Sequence, residues 1–286
     1  MWKPTLRLKQ TKRKRMSKKI ETGTFWDHLD ELRNILLKIA AMALLCGIVA
    51  FIFKDFIFEI VFAPKNDNFI TYKWLAKLGG IFSENSDDNF AVSLINTGLA
   101  QQFVVHMKTA FCIGLLCASP YILYQLFRFV SPALYEEERH YAVQVVGSGY
   151  FMFMFGVLMG YMLIFPLTFR FLGTYQVSED VTNMISLDSY MSTLVLICMA
   201  MGVVFELPVI SWLFAKMGLI NSSFMKKYRK HSVVAILIVA AIITPTSDAF
   251  TLLAVSLPMY LLYESSIILV RITERKKSSQ TELIPA

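Results

Sequence analysis

Charged residues are scarce in this chain, and their scarcity excludes an ordinary soluble domain. Only 17% of the 286 residues are charged and 56% are hydrophobic, whereas a soluble domain carries about a quarter charged residues. The charges are also unevenly placed, so that long stretches contain none. Such stretches are typical of membrane spans, which need about 20 consecutive apolar residues.

Residue types that build metal and catalytic sites are also few. All four cysteines lie inside apolar stretches, which favours a role as small hydrophobic side chains over a metal site or a disulfide framework. The four histidines are far apart in the sequence, and we expect none inside a span to act as a base for Ser148. Since no nucleotide-binding motif is present either, the sequence predicts no catalytic residue, no metal and no cofactor.

Long apolar runs are what the sequence has in abundance. Because backbone groups in lipid must be hydrogen-bonded internally, each run is predicted to be helical, and the runs are too long for barrel strands. We therefore predict an all-α polytopic membrane protein with six transmembrane helices, of which the last two are short. They either cross the membrane or form a re-entrant hairpin. The runs are Ile35–Phe53, Thr109–Phe127, Tyr141–Phe169, Ser189–Ala215, Ser232–Ser247 and Ala249–Tyr263.

Basic residues predict the orientation of these helices. One side of the six-span topology carries 21 Lys and Arg residues and the other side six, so both termini are expected in the cytoplasm. The formal net charge of +7 is then a topology signal and does not indicate nucleic-acid binding. We predict a basic cytoplasmic tail (1–24), a single six-helix transmembrane domain (25–272) and a cytoplasmic C-terminal tail (273–286).

Polar residues inside or beside the spans are the candidates for function. Glu206 lies within the fourth run and precedes Pro208; a carboxylate at span depth is a functional candidate by default. The acidic run Glu136–Glu138 suits either the first turn of a helix or a cationic ligand. Asp248 is a plausible N-cap for the last helix. The small-residue motif Gly156-x-x-x-Gly160 favours ordinary packing within the bundle.

Taken in order, the motifs resemble the TatC family, the large polytopic subunit of the twin-arginine protein translocase. The resemblance runs from about residue 25 to 270. The family usually has a further basic residue where Asn34 stands, and a different turn before Asp248. The motifs are His28-Leu-x-Glu31-Leu-Arg33, Pro64, Ser131-Pro-Ala-Leu-Tyr-x-x-Glu138-Arg139 and Phe205-Glu206-x-Pro208.

The resemblance implies a function and a set of site residues. It implies a receptor for twin-arginine signal peptides in the bacterial inner membrane, which exports folded proteins using the proton-motive force. Its partners would be the signal peptides, TatA- and TatB-type single-span subunits, other copies of itself and membrane lipid. Signal-peptide binding would involve Glu31, Arg33, Glu138, Arg139 and Phe129, and partner contact or transport would involve Glu206, Pro64, Pro208 and Asp248.

Two other classes of protein remain open at this point. A secondary transporter would use Glu206 as a substrate site at the bilayer midplane. An intramembrane enzyme would need a nucleophile with its base, or paired aspartates, inside the spans, and the sequence offers neither. We therefore expect a protein that is not an enzyme, with a transporter as the alternative.

Overall fold

The computed structural model describes residues 25–66, 68–77, 94–130, 142–175, 178, 183–244 and 248–282. Within these ranges the chain is mostly helical, as the apolar runs predict. A 3₁₀ turn (Ala63–Lys65) follows the second helix, a π-helical turn (Gly160–Ile164) joins the fifth to the sixth, and two short strands, β1 (Leu94–Ile95) and β2 (Ile185–Ser186), lie between helices. The helices are α1 (Phe25–Ile52), α2 (Lys54–Phe62), α3 (Ile70–Lys77), α4 (Gln101–Val130), α5 (Ala142–Met159), α6 (Phe165–Thr174), α7 (Leu187–Phe205), α8 (Leu207–Lys216), α9 (Ser222–Lys227), α10 (Arg229–Ile243) and α11 (Ala249–Glu282).

Five segments in the described part of the chain are long and apolar enough to cross a membrane. The predicted fifth span corresponds to α10, whose 15 residues reach only about 22 Å, less than a bilayer core of roughly 30 Å. The chain is thus a membrane protein of several apolar helices. The five segments are Leu29–Ile52, Gln101–Phe129, Val145–Thr174, Leu187–Lys216 and Ala249–Arg275.

The last helix is long, so the prediction of two short final helices is wrong for α11. The predicted run ends at Tyr263, directly before Glu264, whereas α11 has 34 residues in all. Arg229 of α10 forms an ion pair with Glu264, and Ile267 and Val270 beyond it are buried. A charged residue that has an ion-pair partner therefore does not have to end an apolar helix. α11 extends beyond residue 272, where the predicted transmembrane domain ends.

The fourth candidate span, α7 with α8, lies at the centre of the bundle. Half of its most apolar stretch is buried, against 17% for α1. Glycines allow α5 to approach α7 closely, because a Cβ atom on Gly156 would lie 2.5 Å from the Met201 carbonyl oxygen and one on Gly160 would lie 3.1 Å from the Cys198 Cα. The small-residue motif is therefore a packing contact within the bundle, as the sequence indicates.

α4 begins earlier than the apolar run predicts, and this places His106 inside a candidate span. The prediction that no histidine lies within a span is therefore wrong. The His106 ring stacks on Phe51 with 3.9 Å between centroids, and its Nε2 lies 3.2 Å from the Phe51 carbonyl oxygen near the end of α1. Ser148, by contrast, donates to the Val145 carbonyl oxygen. The histidine supports the junction of α1 and α2 and is no base for the serine.

Candidate functional site

A cavity of about 330 Å³ lies between the beginning of α1 and the end of α4. Its α1 residues 31, 34, 35 and 38 follow the spacing of one helix face, and its two α4 residues are three apart, so that helical periodicity brings both sets together. The cavity is lined by Asp30, Glu31, Asn34, Ile35 and Lys38 of α1 and by Gln125 and Arg128 of α4.

The lining of this cavity is rich in hydrogen-bond acceptors. Asp30 and Glu31 are exposed, whereas Ile35 and Gln125 are buried. The Gln125 Nε2 donates to the Tyr121 hydroxyl at 2.6 Å, which leaves the amide oxygen of Gln125 as an acceptor. Carboxylates accept N–H groups of a planar guanidinium in a bidentate manner. The cavity therefore has the acceptors that an arginine side chain needs.

The structure brings together only part of the predicted signal-peptide site. Glu31 lines the cavity; Arg33 and Phe129 belong to the same two helices but are not lining residues. Glu138 and Arg139 lie outside the described residues. The segment that carries them follows α4 directly, so the described part of the predicted site consists of Glu31 and Arg33 on α1 and Phe129 on α4.

Five polar or charged lining residues were not predicted from the sequence. One signal was present: Lys38 and Gln125 are polar residues within or beside apolar runs, and Lys38 shares a helix face with Glu31. Lys38 was considered only as an interruption of the first span, and its helical spacing from Glu31 was overlooked. The missed residues are Asp30, Asn34, Lys38, Gln125 and Arg128.

Glu206 stands at a break in the central span. α7 ends at the residue before it and α8 begins at the residue after it, and Pro208, also buried, lies in the first turn of α8, where its missing N–H costs no helical hydrogen bond. The Glu206 side chain is buried, with a relative exposure of 8%. Its Oε2 would lie 3.2 Å from a Cβ atom on Gly149 of α5. Because glycine has no side chain, position 149 leaves space for the Glu206 carboxylate.

One oxygen of this carboxylate has no hydrogen bond within the described part of the chain. Among the described residues, Glu206 Oε1 is buried and has no partner, and a buried polar atom without a partner costs free energy. Ionisable groups inside a membrane protein commonly mark functional positions for this reason. Chemically, Glu206 can accept a hydrogen bond from a donor that approaches the α5–α7 contact.

Pro64 has a structural role that its position explains. Proline has no N–H group, so the Ile60 carbonyl oxygen at the end of α2 cannot bond to residue 64, and the Tyr161 hydroxyl donates to it at 2.6 Å. The Tyr72 hydroxyl lies 3.0 Å from the Pro64 carbonyl oxygen and 3.2 Å from that of Pro166. These hydrogen bonds hold α2 and the 3₁₀ turn that follows it against the junction of α5 and α6.

Asp248 caps the last helix, as its sequence context indicates. Its Oδ2 accepts hydrogen bonds from the Thr251 backbone N–H at 2.7 Å and from the Thr251 hydroxyl at 2.6 Å, which is the geometry of an N-cap. Phe250, beside it, stacks on Phe171 of α6 with 4.8 Å between centroids. Pro64 and Asp248 thus both lie near α6, whereas Glu206 and Pro208 lie between α5, α7 and α8. The four predicted partner residues do not form one site.

Comparison with known proteins identifies the family. The family model for the Sec-independent protein translocase protein (TatC) matches residues 27–258. The chain belongs to the TatC family. Among its relatives, the Sec-independent protein translocase protein TatC of Blattabacterium sp. subsp. Periplaneta americana is 34% identical over 258 residues, covering 88% of this chain and 97% of that protein. TatC of Aquifex aeolicus is 31% identical over 253 residues, covering 88% and 96%.

Solved TatC structures agree with the described fold. A crystal structure described as the twin-arginine translocase receptor TatC matches with a TM-score of 0.69 and 30% identity, covering 86% of this chain and 99% of that one. A second crystal structure, of the same receptor in DDM, also gives a TM-score of 0.69, with 31% identity over 85% of this chain. The TatC relatives are named as protein translocase components, that is, transport proteins and not enzymes, which favours a translocase over the secondary transporter.

Proposed function

We propose that this TatC-family chain is the receptor for twin-arginine signal peptides and the core subunit of a translocase that exports folded proteins, driven by the proton-motive force. The observation that carries the proposal is the cavity between α1 and α4, which is lined by the carboxylates of Asp30 and Glu31 together with the buried amide of Gln125. Glu138, on the segment that follows α4, would supply a further carboxylate.

Recognition of arginine pairs follows from the chemistry of this lining. A guanidinium presents several N–H donors in one plane and pairs bidentately with a carboxylate, whereas an ammonium is a point charge without this fork. Because an exposed ion pair contributes only about 0–1 kcal/mol, the arginine pair alone would bind weakly. The apolar part of the signal must therefore add affinity.

An apolar groove between α1 and α4 offers a place for that apolar part. It has a volume of about 330 Å³ and lies further along the same two helices, where Leu44, Ile48 and Phe111 line it. These three side chains are more than half exposed. A signal peptide held at the cavity by its arginines would lie along this groove.

Glu206 supports contact with a second kind of partner. In the proposed translocase, a TatA- or TatB-type single-span subunit would bring a polar side chain to Glu206 Oε1, which has no partner in the described ranges, and so give the buried oxygen a hydrogen bond. Other copies of this chain and membrane lipid would cover the remaining exposed apolar surface. Arg33, Arg139 and Phe129 stay proposed members of the signal-peptide site, and Pro64, Pro208 and Asp248 stay proposed contributors to transport.

The proposed topology places six spans in the bacterial inner membrane with both termini in the cytoplasm. It requires α10 to cross or re-enter the membrane in addition to the five longer helices, and it follows the basic asymmetry of 21 to six. Single cysteines introduced at residues 67, 137 and 179, in a variant without the native cysteines, test it with an impermeant thiol reagent. Labelling from outside is expected at 67 and 179; labelling at 137 would reject the topology.

Peptide binding tests the receptor function directly. The purified full-length chain in detergent should bind a labelled twin-arginine signal peptide more tightly than a matched twin-lysine peptide, and binding should weaken as salt rises. A photo-crosslinker at residue 31 or 138 should capture the arginine peptide. Equal binding of both peptides, or crosslinks confined to a control position such as residue 226, would contradict the proposal.

A further inference from the structure

The cavity between α1 and α4 contains cations as well as carboxylates. Lys38 of α1 and Arg128 of α4 line it together with Asp30 and Glu31. The formal charges of these four side chains add up to zero. A ligand with two arginines therefore does not meet a purely negative site, since two basic residues line the same cavity as the acids.

The position of Lys38 on α1 favours an ammonium group that reaches toward the acids. Lys38 follows Glu31 by seven residues, which is about two helical turns or 10 Å on the same face. Side chains in a helix lean toward its N-terminus, and a lysine within a span extends toward the nearer polar boundary. Both effects point from Lys38 toward Asn34, Glu31 and Asp30 at the beginning of α1.

Arg128 presents to the cavity the same group that a signal peptide would bring. It is exposed and lies in the last turn of α4, where the helix dipole favours a cation. The dipole accounts for a basic residue at this end of α4. It does not account for a second cation that enters the same cavity from α1.

We propose that Lys38 and Arg128 are internal counter-ions of the arginine site, which neutralise Asp30 and Glu31 until the arginines of a signal peptide displace them. The inference rests on the proposed function of the cavity. Binding is then an exchange of cations, so attraction between opposite charges adds little for a ligand that brings charge alone. The bidentate fork of arginine becomes the feature that decides the exchange.

Neutral substitutions of the two cations test the proposal by affinity. A labelled twin-arginine signal peptide is titrated into the full-length protein in detergent, for wild type, Lys38→Gln, Arg128→Gln and the double variant. Each single variant leaves a net negative lining and should bind roughly two- to fivefold more tightly, and the double variant more tightly still. The gain should shrink as salt rises from about 0.15 M to about 1 M, because the screening length falls from about 8 Å to about 3 Å.

Lys226→Gln is the matched control, because it removes the same charge from an exposed position in α9 that does not line the cavity. Its affinity should equal that of wild type; an equal gain in this variant would show an effect of overall charge and overturn the assignment. Unchanged or weaker binding by both cavity variants, with wild type still preferring the arginine peptide, would reject the counter-ions and leave the receptor function standing. A wild type that binds no twin-arginine peptide would reject both.

Discussion

Two of the acidic positions singled out by the sequence, Glu31 and Glu206, occupy opposite environments. Glu31 is exposed in an open cavity whose lining contains as many cations as carboxylates. Glu206 is buried between packed helices, faces the vacant position of the Gly149 side chain and has an oxygen without a hydrogen bond in the described residues. In the proposed function, the first carboxylate exchanges partners in water and the second accepts one hydrogen bond in a dry contact.

This difference predicts which experiments separate the two. Changes at the open cavity should alter ligand affinity and leave the unfolding free energy almost untouched, because exposed ion pairs contribute little to stability. Changes around Glu206 should alter stability directly, because the α5–α7 contact is closely packed. Four substitution experiments, from the largest expected effect to the smallest, test whether effects on affinity and on stability separate in this way.

The largest effect is expected at Gly156. A Cβ atom there would lie 2.5 Å from the Met201 carbonyl oxygen and 2.8 Å from the Phe205 Cβ, so Gly156→Val must force α5 away from α7. We expect destabilisation by more than about 3 kcal/mol, at or beyond the upper range for overpacked cores, measured by thermal unfolding in detergent. Gly147→Val is the matched control, since a Cβ atom at Gly147 would have no neighbour within 4 Å among the described residues. Equal unfolding midpoints for the two variants would contradict the packing.

The next effect concerns recognition at the open cavity. Glu31→Gln and Glu138→Gln keep side-chain shape and remove the charge that a guanidinium needs, so each should weaken binding of a twin-arginine peptide by roughly 1–3 kcal/mol, the range for hydrogen bonds to charged groups. Glu136→Gln and Glu137→Gln should matter less, since only Glu138 holds the motif position. If Glu31 instead only stabilises the beginning of α1, the mutant should lose up to about 1 kcal/mol of stability and still discriminate arginine from lysine peptides.

Replacing the buried carboxylate should have a smaller and opposite effect on stability. Glu206→Leu removes an oxygen that has no hydrogen-bond partner among the residues that the structure describes, so the isolated chain should gain about 1–2 kcal/mol in unfolding free energy. Export in a complementation assay and co-purification of single-span subunits should fall, whereas binding of the twin-arginine peptide should persist because Glu31 is untouched. Glu206→Ala should show the same functional pattern without the gain in stability. Unaltered assembly and export in both variants would mean that the carboxylate is merely tolerated.

The sequence predicted the helical fold and the open site only where a pattern was local. Apolar runs predicted the spans because lipid forces helical hydrogen bonding, and Asp248 was recognisable as a cap from its position before a run. The length of α11 was missed because the partner of Glu264 is Arg229, 35 residues earlier. Gln125 and Arg128 were missed because the cavity depends on how α1 pairs with α4. Long-range pairing of this kind leaves no mark in a single sequence.

The smallest effect distinguishes two glycines of one helix turn. Gly149→Ala places a Cβ atom 3.2 Å from the Glu206 Oε2. The Cβ atom of Gly147→Ala would have no neighbour within 4 Å in the described part of the chain. Alanine is the better helix former by roughly 0.5–1 kcal/mol, so Gly147→Ala should gain that stability and export normally. In Gly149→Ala the carboxylate must shift by a few tenths of an ångström, which should cancel the gain and lower export severalfold, because the hydrogen bond proposed for Glu206 depends on its position. Thermal unfolding and complementation, measured on both variants side by side, check this. If the two alanine variants export equally well, the position of the Glu206 carboxylate is not critical for transport. The close packing that distinguishes Glu206 from the exposed Glu31 would then have no role in export.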